Sequence, residues 1–253
     1  MVDASSGLKR CLVVGGSGQL GSAICRALVR EDCQVAFTYK GDPERAQALE
    51  QELPGSRAYE CDLRDFASVR RVVNAAVAEL GGLDGMVQAA GVSGDSYYYR
   101  SISAADYDRL QPVDQEAFDE CMEINARGSF AACQAVAPFL KGAGNIVLLG
   151  AIDGIKPVPA PVHFAASQAA LKGMTEALAK ELGHHNVCIN LVALGILQGG
   201  LSENLGQELK DAYLTHCCLK RLGTMQEVAE LVAFLVLENT YVTGQTLILD
   251  GGL

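Results

Sequence analysis

Short apolar runs alternate along this chain with longer segments of helical periodicity. Seven runs rich in aliphatic and β-branched residues predict strands at 11–14, 35–38, 58–61, 85–88, 146–149, 187–192 and 246–249. Helix-length segments separate the strands, among them 20–30, 66–80, 116–140 and 165–182. Connections of this length favour parallel pairing of successive strands. The pattern predicts an α/β fold: a doubly wound, mainly parallel, seven-stranded sheet of the Rossmann type with helices on both faces.

No repeat, linker or break in composition divides the 253 residues, so we expect one domain over 1–253. The one irregular stretch, 92–112, contains Tyr97, Tyr98 and Tyr99 and follows the fourth predicted strand. Loops that leave the carboxyl ends of strands border the ligand crevice of an open sheet. The stretch 92–112 is therefore either a lid or a variable surface loop.

Charge and cysteine content narrow the classes of partner. The formal net charge is -10 and lysine and arginine are not clustered, which excludes nucleic acid as an expected partner. The first ten residues lack the apolar core of a signal peptide, and the longest apolar run, 231–237, is too short to cross a bilayer. Nine cysteines without a C-x-x-C pair suggest reduced thiols and no metal site. We therefore predict a cytoplasmic protein without a membrane span.

A glycine-rich loop follows the first predicted strand directly and leads into a helix. It comprises Gly15, Gly16, Ser17, Gly18, Gln19, Leu20 and Gly21. Without side chains, glycines let backbone N–H groups approach a pyrophosphate at a helix N-terminus, where the helix dipole favours anions. In this position the loop predicts dinucleotide binding; the alternative is a purely structural turn.

Here the sequence resembles the short-chain dehydrogenase/reductase family over nearly its whole length. The family motif TGxxxGxG falls on Val14, Gly15, Gln19 and Gly21, so its threonine and middle glycine are replaced. The spacing Gly15-x-x-Gly18-x-x-Gly21 resembles instead the extended branch of the family. The resemblance implies the Rossmann-type fold and a nicotinamide dinucleotide, held by this loop.

Further motifs carry the resemblance along the chain. Asp62 and Leu63 resemble the pair that contacts adenine in the family, and Ala90 and Gly91 end the segment written Asn-Ala-Ala-Gly in the family. Asn125 matches the helix asparagine that holds a relay water. The ending, 241–252, looks like that of 3-oxoacyl-carrier-protein reductases.

The family also implies a rule for the choice of cofactor. Members that prefer NAD carry an acidic residue after strand two, whereas NADP binders prefer a basic one. This chain has Lys40 there, which mildly favours NADP(H) over NAD(H).

The catalytic residues of family reductases are missing. The family uses a serine, a tyrosine and a lysine four residues after the tyrosine; these positions fall on Ala151, Phe164 and Gln168. The tyrosine transfers the proton, and the lysine both favours its ionised form and holds the cofactor ribose, a contact that Gln168 inherits by position. Alanine and phenylalanine have no proton to give, and an amide carries no charge. We expect ordinary ketoreduction to be lost.

Three groups could replace the missing acid: His163, Asp153, and the loop residue Asp95 with its neighbouring tyrosines. The leading hypothesis is a dinucleotide-binding pseudo-oxidoreductase that acts as a non-catalytic subunit or binding module. The alternatives are an enzyme repurposed for dehydration, isomerisation or cyclisation, and a reductase with a relocated proton donor. The expected partners are a small-molecule or acyl-type ligand and other chains: a homodimer, a homotetramer, or a hetero-oligomer with an active family member.

Overall fold

A computed structural model describes residues 8–94, 113–140 and 142–253. Seven strands form one sheet: β1 Arg10–Val14, β2 Gln34–Tyr39, β3 Arg57–Glu60, β4 Gly85–Gln88, β5 Gly144–Ala151, β6 Val187–Leu194 and β7 Thr246–Leu249. Their order is β3-β2-β1-β4-β5-β6-β7, and every neighbouring pair is parallel. The predicted fold class is confirmed, and the sheet of the described residues is wholly rather than mainly parallel.

The helices of the described residues are α1 Gln19–Arg30, α2 Pro43–Glu52, α3 Phe66–Leu80, α4 Gln115–Cys121, α5 Ser129–Val136, α6 Val162–Leu182, α7 Gln207–His216 and α8 Met225–Leu237. None of them is long and apolar enough to cross a bilayer. The segment predicted as one helix over 116–140 differs from that expectation. It consists of α4, a π-helical stretch Met122–Gly128, α5 and a final 3-10 turn.

The helices cover both faces of the sheet and enclose two separate cores. Successive residues of a strand point to opposite faces, so Leu12 joins the core beneath α3, α5 and α6, whereas Val13 joins the core beneath α1, α2 and α8. Both side chains are fully buried. A strand that is buried on both faces explains why the runs in the sequence are continuously apolar.

Side chains near the chain's end fix the last helix and strand. Thr224 and Glu227 form a capping box at the start of α8: the Thr224 hydroxyl accepts from the Glu227 N–H, and the Glu227 carboxylate accepts from the Thr224 N–H. The Asn190 side chain on β6 donates to the Val242 carbonyl at 2.7 Å and accepts from the Gln245 amide at 3.1 Å. The family-like ending is therefore a set of contacts that holds β7 against β6.

The position of the candidate site follows from the strand order. The order reverses at β1, which lies between β2 and β4, and Val14 at the end of β1 pairs with Gln88 at the end of β4. Crevices in open α/β sheets form outside the carboxyl ends of strands at such a switch point. The glycine loop leaves β1 at this point.

Candidate active site

A cavity of about 810 Å³ opens at the carboxyl edge of the sheet. Its lining runs from Gly18, Gln19, Leu20 and Gly21, past the ends of β4, β5 and β6, to α7. The nucleotide loop and the triad positions thus border one continuous space. Of the stretch 92–112, interpreted as a lid or a variable surface loop, residues 95–112 lie outside the described residues, and with them Asp95 and Tyr97 to Tyr99.

The glycine loop is built by close backbone contacts. A Cβ on Gly21 would lie 2.1 Å from the Gly15 carbonyl oxygen, and a Cβ on Gly15 would lie 2.7 Å from Ala90. Gly15 has φ +79° and its N–H donates to Thr38 Oγ1 at 2.9 Å. Helix α1 begins after Gly18 without a side-chain cap, so no cap side chain accepts from its first N–H groups, and the residues from Gly18 to Gly21 line the cavity. This geometry fits a pyrophosphate.

The residues predicted to contact the adenosine end form an ion-pair cluster instead. Lys40 Nζ lies 2.5 Å from Asp62 Oδ2, and Arg64 pairs with the same carboxylate at 2.9 Å. Hydrogen bonds from Arg64 and Lys40 hold the pKa of Asp62 below its usual range. Among the described residues that line the cavity, Lys40, Asp62 and Leu63 are absent. Leu63 is buried in the core. The charge of Lys40 is balanced by Asp62, which weakens its expected preference for NADP(H).

The three residues that the resemblance assigns to the family triad meet in the cavity. Ala151, Phe164 and Gln168 all line it, and the latter two are only 6% and 5% exposed. The Ala151 N–H donates to Gln168 Oε1 at 3.1 Å. This hydrogen bond connects α6 to the end of β5. It uses the Gln168 side chain as an acceptor, whereas the family lysine at this position acts as a cation and a donor. None of the three side chains has an ionisable group.

Asn125 is a structural clamp. Its Oδ1 accepts from the Val92 N–H at 2.8 Å, while its Nδ2 donates to the Val92 carbonyl at 2.8 Å and to Ser167 Oγ at 2.9 Å. Its main-chain carbonyl accepts from Ser129 Oγ at 2.6 Å. Both amide hydrogens are used within the protein, so a water could meet this side chain only at its oxygen. The role of Asn125 in holding a relay water stays a prediction.

The segment after β4 supports the glycine loop. Gln88 is 1% exposed, and its Nε2 donates to Ser129 Oγ at 2.9 Å and to the Ala90 carbonyl at 3.3 Å. Ala90 in turn contacts Gly15, and Ala90 and Gly91 line the cavity. The position of the family asparagine is therefore filled by a buried glutamine. It holds the Ala90 backbone, which packs against Gly15 of the glycine loop.

The two nearby candidates for a substitute acid lie in different places. His163 is fully buried and lies against Gly94, since a Cβ on that glycine would come within 2.5 Å of Nε2. Burial lowers the pKa of His163, and the ring does not line the cavity among the described residues. Asp153 does line it, and burial raises the pKa of its carboxyl to about 6.

Three further side chains of the lining escaped the sequence reasoning. Arg45 on α2 is the single lysine or arginine among the described residues that line the cavity. Tyr213 on α7 donates its hydroxyl to the Asp250 carbonyl at 2.6 Å, and burial raises its pKa to about 12. It is therefore a poor proton donor. His216 ends the same helix.

Known proteins share this architecture. A short-chain dehydrogenase from Burkholderia cenocepacia in complex with NADP superposes with a TM-score of 0.84 and 32% identity, covering 96% of this chain and 97% of that one. A blue fluorescent protein from a metagenomic library, in complex with NADPH, gives 0.84 and 31% with the same coverage. The sequence profile described as Enoyl-(Acyl carrier protein) reductase matches residues 16–253. The chain belongs to the short-chain dehydrogenase/reductase family.

Within the short-chain dehydrogenases/reductases, one relative bears on the predicted subgroup. The 3-oxoacyl-[acyl-carrier-protein] reductase FabG of Staphylococcus aureus is 29% identical over 252 residues, which cover 97% of this chain and 98% of that protein. The expected similarity to such reductases is confirmed, as is the expectation of a fold whose members bind nicotinamide dinucleotides.

Proposed function

We propose that this chain binds NADP(H) or NAD(H) and performs no ordinary hydride-transfer catalysis, serving as a non-catalytic subunit or binding module. The observation that carries the proposal is the meeting of Ala151, Phe164 and Gln168 in one cavity that also includes the glycine loop. The dinucleotide, when bound, supplies a hydride. Reduction of a ketone also needs a proton for the alkoxide, and these side chains have none to give.

The glycine loop supports the binding half of the proposal. Side chains at Gly15 and Gly21 would clash with Ala90 and with the Gly15 carbonyl, so only glycine at these positions keeps the loop packed tightly against the segment after β4 and the start of α1. Arg45 borders the same cavity and is the candidate for a 2′-phosphate contact, a role for which Lys40, paired with Asp62, is less available.

The remainder of the cavity fits an apolar or acyl-type ligand. Pro157, Val158, Leu205, Leu209 and Ala212 belong to its lining on the side of α7. Assembly into a homodimer, a homotetramer or a complex with an active family member is part of the proposal. Ala169 and Gly173 are exposed on α6, where their small size lets another helix approach.

We expect saturable NADPH binding without turnover. Titration of the protein into NADPH should change the fluorescence of the cofactor, while absorbance at the reduced nicotinamide band should stay constant with 3-oxoacyl thioesters or simple ketones present. The absence of binding at millimolar cofactor, with the protein shown to be folded by circular dichroism, would remove the binding half. Robust reduction by the unmodified protein would remove the other half.

Asp153 favours a second candidate, a repurposed enzyme. It lies on the 3-10 turn Ile152–Gly154, and this turn is held against α6 because a Cβ on Gly154 would come within 2.5 Å of the Gln168 backbone. No other described residue forms an ion pair with its carboxylate. Among the non-redox reactions, isomerisation suits a lone carboxyl best. One group takes a proton from one carbon and returns it to another, so the protons balance.

The second candidate predicts base catalysis that depends on Asp153. Because burial raises the pKa of this carboxyl to about 6, its basic form is present above about pH 6 and is lost as the pH falls below that value. In D₂O, the wild type should exchange the C2 protons of an acyl thioester with this pH profile, followed by NMR, and Asp153→Asn should abolish the exchange. Equal exchange by the two proteins would exclude Asp153 as the base.

A further inference from the structure

The segment that follows β6 is joined to the glycine loop by one side chain. Gly199 precedes a short 3-10 helix, Gly200–Asn204. The Gly200 N–H donates to Gln19 Oε1 at 2.7 Å, and Gln19 Nε2 donates to Glu203 Oε1 at 2.9 Å. A single amide thus connects the first turn of α1 to residues more than 180 positions later in the chain.

The segment is shaped for this contact. Gly199 and Gly200 have φ values of +105° and +63°, and a Cβ on Gly199 would lie 2.6 Å from Gln19 Oε1. Only glycine lets the backbone approach the amide so closely in this conformation. The 3-10 helix is also held to the residues that follow β6, because the Leu197 N–H donates to Ser202 Oγ at 3.2 Å.

The contact lies at the rim of the dinucleotide crevice. Gln19, Gly199 and Gly200 line the same cavity as the glycine loop, so a pyrophosphate held at the start of α1 would be bordered by both segments. Gln19 and Glu203 are exposed, so the bridge can open without disturbing a core. A ligand in the crevice is released more slowly if this bridge must first break.

We propose that Gln19 is a latch: it positions the Gly199–Asn204 segment across the dinucleotide crevice, and opening of the Gln19 bridge limits the release of the dinucleotide. This inference rests on the dinucleotide binding of the proposed function and adds to it a specific control of residence time. Gln19 acts as a positioning residue through its side chain, separately from the backbone contacts of the loop in which it lies.

The test exchanges the glutamine at position 19 and the glutamate at position 203, singly and together. The quantity measured is the rate of NADPH release, in a stopped-flow displacement experiment. Gln19→Glu keeps an acceptor for the Gly200 N–H but places its carboxylate against that of Glu203, which breaks the bridge. Release should become about 10-fold faster, a change that corresponds to about 1.4 kcal/mol. Glu203→Gln keeps a donor and an acceptor on both sides and should change release about 2-fold or less.

The double variant Gln19→Glu with Glu203→Gln separates the latch from simple repulsion of the phosphates. It keeps the new negative charge beside the loop but restores the bridge, because the amide of residue 203 then donates to the carboxylate of residue 19. Release should return to within about 2-fold of the wild type. A double variant as fast as Gln19→Glu alone, or an unchanged single variant, would overturn the latch while leaving the proposed function intact; a wild type that binds no NADPH would overturn both.

Discussion

The triple variant Ala151→Ser, Phe164→Tyr and Gln168→Lys is expected to gain NADPH-dependent reduction of a 3-oxoacyl thioester, an activity that we expect the wild type to lack. The three positions already border one cavity, so the restored hydroxyl, phenol and ammonium would meet there. General acid help typically contributes about 10² to 10⁴ in rate, and this sets the size of the expected gain over background. The measurement is the loss of NADPH absorbance under saturating cofactor.

The matched controls are the double variants that leave one position unrestored. With Phe164 kept there is no proton donor; with Gln168 kept the phenol stays near its ordinary pKa of about 10, because no cation stabilises its ionised form. Groups that act as a unit fail together, so each double variant should stay near background. A triple variant that binds NADPH and gains nothing would point to a reshaped pocket, and it would favour the repurposed enzyme over the inert subunit.

Gly21→Ala is expected to abolish dinucleotide binding and to lower the melting temperature. The new Cβ would lie 2.1 Å from the Gly15 carbonyl oxygen and 2.8 Å from Gly16 Cα. Both are backbone atoms, so α1 and the loop must separate. Overpacking of this kind costs about 1–3 kcal/mol, which corresponds to a shift of several degrees in a domain of this size.

Gly18→Ala is the control for the stability effect, since its Cβ would meet only the Gly15 carbonyl oxygen, at 3.3 Å. Its melting temperature should stay near that of the wild type by differential scanning fluorimetry. Equal melting temperatures and equal NADPH affinity for Gly21→Ala and the wild type would contradict the close packing of the loop.

The sequence predicted the inner strands well because strands buried on both faces are written as continuous apolar runs. The run of the edge strand β3 is weaker, since that strand is only partly buried. The sequence predicted the helices unevenly. Helix α7 buries only Tyr213, and α2 only Ala46 and Leu49, so the periodicity of each is faint. The break between α4 and α5 has no proline or glycine at its start. It is stabilised by hydrogen bonds between Asn125 and two distant residues: the Val92 N–H donates to Asn125, and Asn125 donates to Ser167. Such contacts cannot be read from local propensity.

At the site, Ala151, Phe164 and Gln168 line one cavity. Their assignment to the triad positions of the family stays a prediction from the motifs. Alignment by motif could not foresee which charges balance one another. The motifs predict separate cofactor contacts for Lys40 and Asp62. In the structure, Lys40 follows β2 and Asp62 follows the neighbouring strand β3, and the two side chains form an ion pair. The sequence did not indicate that Arg45 lines the cavity, because a single arginine in a polar helix belongs to no recognisable motif. Its importance arises only from the folding of α2 beside the crevice.

The hydrogen bond from the Ala151 N–H to Gln168 has a consequence for how this site can change over time. Gln168→Lys alone removes that acceptor, which lowers the stability of the fold by about 0.5–1.5 kcal/mol. It also buries a cation, and with phenylalanine at position 164 there is no phenol whose ionised form the cation could stabilise. Phe164→Tyr alone adds a buried hydroxyl that has no ammonium to tune it. Under the proposed function, Gln168 has a structural use at the position where a family reductase would need a cation. A single substitution to lysine gives up the hydrogen bond to Ala151 without supplying the other two groups of the triad.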